Sequence, residues 1–411
     1  MRVLVQKYGG TSVANLECMN KVREKVLISL DKGYKVIVVL SAMSGETNRL
    51  IDLARQWSHR PDPCEMDVLL ATGEQTSVSL FAMLLKDCGV KARSLLGFQV
   101  PIQTDKSFGK ARILDIDNER IEEILEKYDV LVVAGFQGCD CSQRITTLGR
   151  GGSDTSAVAL AAAINAETCE IYTDVDGVYT TDPNICPQAR KIKKIAYDEM
   201  LEMASMGAKV LQIRSVEFAK KYNVPIHVRS TFSDGPGTLV VQEDKSMEAA
   251  MVSGVAYDKD QARITLVGVY DEPGVAAKIF EPISRANIVV DMIVQNPSRE
   301  GKTDMTFTVP KGNVEDTLNI LKKAQADIGA QAILHDVDVA KVTVIGVGMR
   351  NHSGVAAIAF SALKNENINI MIISTSEIKI SCLIEEKYTE LAIRTLHEAF
   401  GLDQEAPRKE C

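Results

Sequence analysis

The sequence predicts an α/β protein: a mostly parallel sheet covered by helices on both faces, followed by two copies of a βαββαβ module. Three observations predict it. Short Val- and Ile-rich runs alternate with longer helical patterns as far as Gln242. Glycine, hydroxyl and charged residues recur where those runs end. A segment beginning at Ile264 repeats at Val342. With 411 residues, 45% hydrophobic and 25% charged, the chain has ordinary globular composition and length for two or three domains.

The expected buried strands, in order, are VLVQKY near the start, KVIVVLSA from Lys35, DVLVVAGF from Asp129, CEIYTDV from Cys169 and VPIHVRS from Val224. Between them, helical patterns run from Asn15 to Leu30, Thr47 to Trp57, Glu65 to Lys86 and Ser153 to Ala163. In such sheets ligands bind beyond the carboxyl ends of the strands. The loops there read KYGGTS (Lys7–Ser12), SAMSGETN (Ser41–Asn48), TTLGRGGSD (Thr146–Asp154) and TDVDGVYTTDP (Thr173–Pro183). After TLVVQ, the polar stretch EDKSMEAAMVSG reads as a linker.

A net charge of −8 argues against a general nucleic-acid or membrane-surface role. No apolar run reaches the ~18 residues of a membrane span, and the N-terminus turns polar too soon for a secretory signal. The default is a reducing compartment, the cytoplasm. Nine cysteines form no CxxC pair; Cys139 and Cys141 form C-x-C without a second pair or a nearby histidine, so they read as free thiols.

TTLGRGGSDTSAVALAAAI places three glycines and Arg150 before a run of small helix formers, with Ser153 or Asp154 expected as the cap. A helix start offers free N–H groups and positive potential to an anion. Taken alone, the stretch fits an ordinary glycine turn equally well. Four loops of this kind, with Lys7 and Arg150, point to a phosphate site. The Walker GKS/T and a GxGxxG after the first strand are absent, as are HRD and DFG, which excludes P-loop NTPases and protein kinases.

KYGGTS, TTLGRGGSD and TDVDGVYTTDP together resemble the amino-acid kinase family and, within it, the aspartokinases; the resemblance runs essentially end to end. It implies a three-layer αβα sandwich. It also implies transfer of the ATP γ-phosphoryl group to the β-carboxylate of L-aspartate, the first step towards lysine, threonine and methionine through diaminopimelate. Lys7, a compact cation, would neutralise the moving phosphoryl oxygens. Gly9 and Gly10 would bring backbone N–H groups to the phosphates. By the same resemblance Ser41, Thr47, Glu74, Arg150 and Ser153 hold the substrate, and Asp154 stands with Lys7 in the catalytic set. Read without the resemblance, Glu74 is a solvated helix residue, and an N-cap aspartate needs no catalytic role. Thr173, Asp174, Tyr179, Asp182 and Lys209 fall at nucleotide positions. Some relatives carry arginine where this chain has Asn184, so a phosphate contact is either missing or supplied by Arg190. The spaced aspartates resemble part of a calcium loop, but no EF-hand frame is present. Magnesium is implied as the MgATP complex, with no protein ligand assigned.

The repeat pairs ITLVGVYDEPGVAAKIFEPISRANIVVDMIV with VTVIGVGMRNHSGVAAIAFSALKNENINIMII, each reading strand, turn, helix, strand. With DMTFTVP or KISCLIE and a further helix, each copy is ferredoxin-like. The copies resemble ACT domains, which bind amino acids. Asp271, Gly274, Ala276 and Gln295 fall at effector positions of the first copy, and Asn369 and Ile370 would complete the pocket. Thr375 and Ser376 lie where relatives tune feedback sensitivity. The implied effectors are lysine, threonine or both. Ala356, where some lysine-sensing relatives carry a hydroxyl, leaves lysine the weaker expectation. An ACT pocket built from two modules implies a homodimer or tetramer, and Met247 and Met251 lie near an internal start from which some relatives make a shorter regulatory subunit.

The expected division is residues 1–242 for the kinase domain, 243–262 for the linker, 263–335 and 336–403 for the two ACT domains, and 404–411 for a frayed tail. Two alternatives stand beside the main reading: another amino-acid kinase, acting on glutamate or acetylglutamate, and a non-catalytic amino-acid sensor on a kinase fold. The retained Lys7 and Arg150 speak against the sensor.

Overall fold

The computed structural model describes every residue except 207–209, 245–246, 248–249, 297–300 and 405–411. The tail expected from residue 404 thus lies, past Gln404, outside the described residues. The chain forms two compact units: Met1–Val178 with Lys191–Met247, and Tyr179–Arg190 with Glu248–Cys411.

The first unit runs β1 (Val3–Tyr8), α1 (Leu16–Asp31), β2 (Lys35–Leu40), α2 (Glu46–Trp57), α3 (Pro63–Asp87), β3 (Ala92–Leu95), β4 (Ile102–Thr104), β5 (Ile113–Ile116), α4 (Asn118–Lys127), β6 (Val130–Ala134), β7 (Gln137–Cys139), β8 (Ile145–Thr147), α5 (Gly152–Ala163), β9 (Cys169–Thr173), β10 (Lys194–Ala196), α6 (Tyr197–Ser205), α7 (Ile213–Tyr222), β11 (Ile226–Ser230) and β12 (Thr238–Val241). Eight strands make one sheet in the order β10-β12-β11-β9-β1-β2-β6-β3. Every pairing is parallel except that of β11 with β12. The five runs read as strands are all in it. A smaller sheet has the order β5-β4-β7-β8.

The β-branched runs are buried on both faces, as a helix-covered parallel sheet requires. Tyr8, Val36, Val38 and Leu40 pack against Val22 and Val26 of α1 and Val78 and Phe81 of α3. On the other face α5 lies against β1, β2 and β9, with α7 beside it. Because β1 has β2 on one side and β9 on the other, the crevice for a ligand opens where these three strands end, at Tyr8, Leu40 and Thr173. Helix α3 is long and apolar enough to cross a membrane, which corrects the reading that no run qualifies. Its few charges are spread rather than absent, and its face with Asp67, Glu74 and Phe81 is buried inside the unit while Val68, Leu80 and Met83 are exposed.

The second unit contains β13 (Gly254–Tyr270), α8 (Val275–Arg285), β14 (Ile293–Gln295), β15 (Lys302–Val309), α9 (Val314–Ile328), β16 (Ala332–Ile345), α10 (Val355–Asn365), β17 (Ile372–Thr375), β18 (Lys379–Glu385) and α11 (Thr389–Ala399). Its sheet order is β14-β15-β13-β16-β18-β17. Both repeats share this sheet. The later part of β13 begins the first module and the early part of β16 closes it, pairing Arg263–Val267 with Ala332–Asp336. The later part of β16 begins the second module, and Gly254–Asp258 of β13 pair with Lys341–Ile345 as its fourth strand. The stretch 243–262 expected as a linker is therefore strand from Gly254 onward, and the boundary expected between 335 and 336 falls inside β16. The second module is closed by residues that precede the first. Its core of Val342, Val344, Ile380, Leu363 and Ile393 also takes in Ile185, from the segment that leaves the first unit.

Candidate active site

Side chains alternate along β1, so Lys7 points to the α5 face. There its Nζ lies 2.5 Å from Asp154 Oδ1, and both side chains are largely shielded, at 12% and 9% exposure. Gly9 N–H donates to the Tyr172 carbonyl (3.4 Å), joining the ends of β1 and β9. A Cβ on Gly10 would lie 2.9 Å from the Ala42 carbonyl oxygen, so only glycine lets the loop after β2 come this close.

In that loop Ser41 N–H donates to the Tyr8 carbonyl (3.2 Å). Thr47 stands in the first turn of α2, after Gly45 in the left-handed region. Glu74 is 3% exposed, which corrects the solvated reading. The buried face of α3 carries Asp67, Glu74 and Ser77 while its exposed face carries Val68, Leu80 and Met83, so polarity does not mark which side meets solvent. One carboxylate oxygen of Glu74 accepts the Ala42 N–H (2.9 Å). The other is buried without a hydrogen-bond partner among the described residues. Burial raises the Glu74 pKa to about 7, partly offset by the Ala42 N–H. A second positive or donor group is what this carboxylate lacks.

Helix α5 is capped by Gly151 at φ 70°, not by Ser153 or Asp154 as the sequence suggests. Both fall inside the first turn and are buried. The reason is that Asp154 is engaged with Lys7, and Ser153 packs so close to Gly135 that a Cβ there would lie 2.8 Å from its Oγ. A carboxylate in the first turn also suits the helix dipole. Arg150 is exposed at the tip of the glycine loop. Lys7 and Asp154 thus touch directly, while Gly9, Gly10, Ser41, Glu74 and Ser153 are tied to the same strand ends through Tyr172, Ala42, Tyr8 and Gly135.

Thr173 Oγ1 donates to Asp174 Oδ1 (3.0 Å). The Thr173 carbonyl accepts Thr231 N–H (3.0 Å), and Thr231 Oγ1 meets Ser12 Oγ at 2.7 Å, tying this loop to the one after β1. Tyr179 and Asp182, expected at the same nucleotide, belong to the second unit. There Asp182 accepts Asn184 N–H (2.9 Å), Asn184 Nδ2 (3.0 Å) and the Tyr257 hydroxyl (3.1 Å). Asn184 thus braces its own turn, and Arg190 donates through Nε to the Leu402 carbonyl (2.8 Å). Lys209 lies outside the described residues.

In the second unit Gly274 caps α8 at φ 96°, and Asp271, Ala276 and Gln295 are exposed. Met371 and Ile372, directly after Asn369 and Ile370, share a small apolar cluster with Met292 and Val294, directly before Gln295. Thr375 ends β17, and Ser376 follows it. The eight described cysteines, Cys139 and Cys141 included, are unpaired.

Sequence reasoning passed over three residues here: Asp67 and Arg214 bond Thr147 and Leu148 just before the glycine loop, and Gln212 lies against Gly151. Asp67 stands seven residues before Glu74, on the same side of a helix, and that spacing was the available signal.

Residues 2–230 match the model of the amino acid kinase family, and residues 263–329 and 342–400 match ACT domains. The chain is 56% identical to an aspartate kinase of Pseudomonas putida over 411 residues, all of both chains. Among solved structures it is similar to E. coli aspartokinase III in complex with aspartate and ADP (R-state), with TM-score 0.78 and 27% identity over 97% of this chain and 99% of that one. It is likewise similar to E. coli aspartokinase III in complex with lysine and aspartate (T-state), with TM-score 0.76, 27% identity and the same coverage.

Proposed function

The chain belongs to the amino acid kinase family and, within it, to the aspartokinases, and we propose that it transfers the γ-phosphoryl group of MgATP to the β-carboxylate of L-aspartate, giving 4-phospho-L-aspartate and ADP. The observation that carries this reading is the shielded Lys7–Asp154 pair, set between the glycines after β1 and the first turn of α5. A carboxylate nucleophile is already ionised at neutral pH, so the site needs no strong general base. It needs cations and N–H groups where charge moves. Lys7, held in place by Asp154, neutralises the phosphoryl oxygens during transfer, and Gly9 and Gly10, without side chains, let the backbone come close to the phosphates. Arg150 takes a substrate carboxylate. The unpartnered oxygen of Glu74 takes the α-ammonium, which supplies the positive group that carboxylate lacks. Ser41, Thr47 and Ser153 offer hydroxyl donors. Thr173 and Asp174 hold the nucleotide, and magnesium enters with it.

The ACT modules give the chain feedback control. We assign lysine, threonine or both as effectors, bound at Asp271, Gly274, Ala276 and Gln295 with Asn369 and Ile370, and tuned by Thr375 and Ser376. An oligomer through these modules, joined in some settings by a shorter regulatory chain from an internal start, and a cytoplasmic location complete the proposal. The test is ADP release from MgATP on adding L-aspartate, with hydroxylamine present to trap the acyl phosphate. Aspartate-dependent hydroxamate is expected, and its sensitivity to lysine, threonine and both names the effector. ADP release that ignores aspartate but follows another acidic amino acid overturns the substrate.

A further inference from the structure

Four backbone polar groups lie just before the glycine loop, and each has a distant partner. Thr147 N–H donates to Asp67 Oδ2 at 2.7 Å. The Thr147 carbonyl accepts Ala111 N–H at 2.9 Å. Leu148 N–H donates to the Phe136 carbonyl at 2.8 Å. The Leu148 carbonyl accepts Arg214 Nη1 at 2.6 Å. Beyond Leu148 come Gly149, Arg150 and Gly151, and then α5.

Two charged side chains hold two of these four groups, from opposite chemical sides. Asp67, on α3 and 1% exposed, takes only donors: Thr147 N–H, Thr147 Oγ1 (2.7 Å) and Gly109 N–H (3.0 Å to each oxygen). Arg214, on α7, gives only to carbonyls, that of Leu148 and that of Ala111 (3.0 Å). Each therefore joins the 109–111 loop to the strand that leads into the glycine loop. The 109–111 loop also backs the glycine loop itself, since a Cβ on Gly149 would lie 3.1 Å from the Gly109 carbonyl oxygen. Neither residue touches a reacting atom.

We propose that Asp67 and Arg214 are positioning residues: together they fix the register and height of the Gly149–Gly151 loop, and so the place from which Arg150 meets the substrate carboxylate. The inference rests on the reading that Arg150 binds the acidic substrate. Its physical basis is that a buried or half-buried charged group making several hydrogen bonds adds geometric specificity to packing. Displacement of a substrate-binding group by about 1 Å costs roughly a hundredfold in rate.

The chemistry also designs the test. Asp67→Asn keeps the shape but turns an NH2 towards groups that are all donors. Thr147→Val removes one donor at constant volume, and Thr147→Ser restores it. Arg214→Lys keeps the charge but cannot reach two carbonyls at once. In the full-length enzyme, KM for aspartate and KM for MgATP are measured separately by the hydroxamate assay, with melting temperatures alongside. Asp67→Asn and Arg214→Lys are expected to raise KM for aspartate by roughly ten- to a hundredfold and to leave KM for MgATP within about twofold. Thr147→Val follows in the same direction, and Thr147→Ser recovers the wild-type value. A variant that melts lower but keeps its aspartate KM overturns the proposal, as does an equal loss in both KM values and in kcat. If Asp67→Asn does not fold, the Thr147 pair and Arg214→Lys decide on the same criteria. Failure of the wild-type enzyme to form hydroxamate with aspartate instead defeats the underlying function, and a wild-type enzyme that succeeds beside insensitive variants defeats only this inference.

Discussion

Gly151 and Gly354 do the same local job in the two units. Each caps a helix, and each sits in the left-handed region, at φ 70° and φ 97°. Gly274, at φ 96°, repeats the arrangement in the first ACT module. Their surroundings differ completely. A Cβ on Gly151 would lie 1.9 Å from Gln212 Cγ, whereas one on Gly354 or Gly274 meets nothing within 4 Å. The lesson is that the glycine-before-helix device has two uses. In the kinase unit it is walled in by Gln212, so the helix start is held in place, as the proposed phosphoryl transfer requires. In the ACT modules it is open, so the helix start is free to receive a ligand or another module.

The sharpest way to break the comparison is to add a methyl group at each site. Gly151→Ala meets both strain and collision, and roughly a hundredfold loss of kcat/KM for aspartate is expected. Gly354→Ala meets strain alone. It is expected to cost about 1–2 kcal/mol of stability by thermal or denaturant unfolding and to leave uninhibited turnover unchanged. Equal catalytic effects of the two would remove the distinction.

Two titratable groups sharpen it further. Burial holds the Glu74 carboxyl at about 7. A folded pKa above the unfolded value means that its stabilising contribution is present below the ordinary carboxylate range and is lost as pH rises through about 7. Binding an ammonium needs the ionised form. The affinity for aspartate is therefore expected to improve as pH rises through about 7, by roughly tenfold, and Glu74→Gln is expected to flatten that dependence and raise KM. A pH-independent KM in the wild type contradicts this.

His397 is the enclosed exception in the second unit. It is 1% exposed, and its Nε2 meets Thr180 Oγ1 at 2.9 Å. Thr180 Oγ1 also accepts the Arg190 N–H (2.9 Å), which fixes the hydroxyl against the imidazole. Burial lowers the His397 pKa, helped by Arg190 and opposed by Asp403. With the folded pKa below the unfolded one, its contribution to stability is present above the ordinary histidine value and is lost as pH falls through the depressed folded value. Unfolding followed from pH 8 down to 5 should show this loss, and His397→Gln should reduce it. The smallest effect is expected here.

The fold was legible because β-branched runs and helical patterns alternate plainly from VLVQKY to VPIHVRS, and all five strands stand where they read. The site was legible where motifs sit at strand ends. The Lys7–Asp154 pair was not, because 147 positions separate its members and only the β1–α5 packing joins them. Glu74 looked solvated because α3 buries polar residues such as Asp67 and Ser77 and exposes apolar ones such as Leu80 and Met83, which blurs its amphipathic signature. TDVDGVYTTDP reads as one loop, yet Val255 N–H bonds the Thr180 carbonyl (2.7 Å) and Ile185 enters an apolar core, so its second half joins the ACT unit. The strand at Gly254–Asp258 was hidden because its partner, Lys341–Ile345, lies beyond the whole first module.

The most direct test of the central claim is the hydroxamate assay on Lys7→Ala beside the wild type. The wild type is expected to give aspartate-dependent hydroxamate from MgATP. Lys7→Ala is expected to lower turnover by roughly 10²–10³-fold while keeping its fold and its binding of the effector. A folded Lys7→Ala enzyme with near-normal turnover would contradict the assignment of phosphoryl transfer to the Lys7–Asp154 centre.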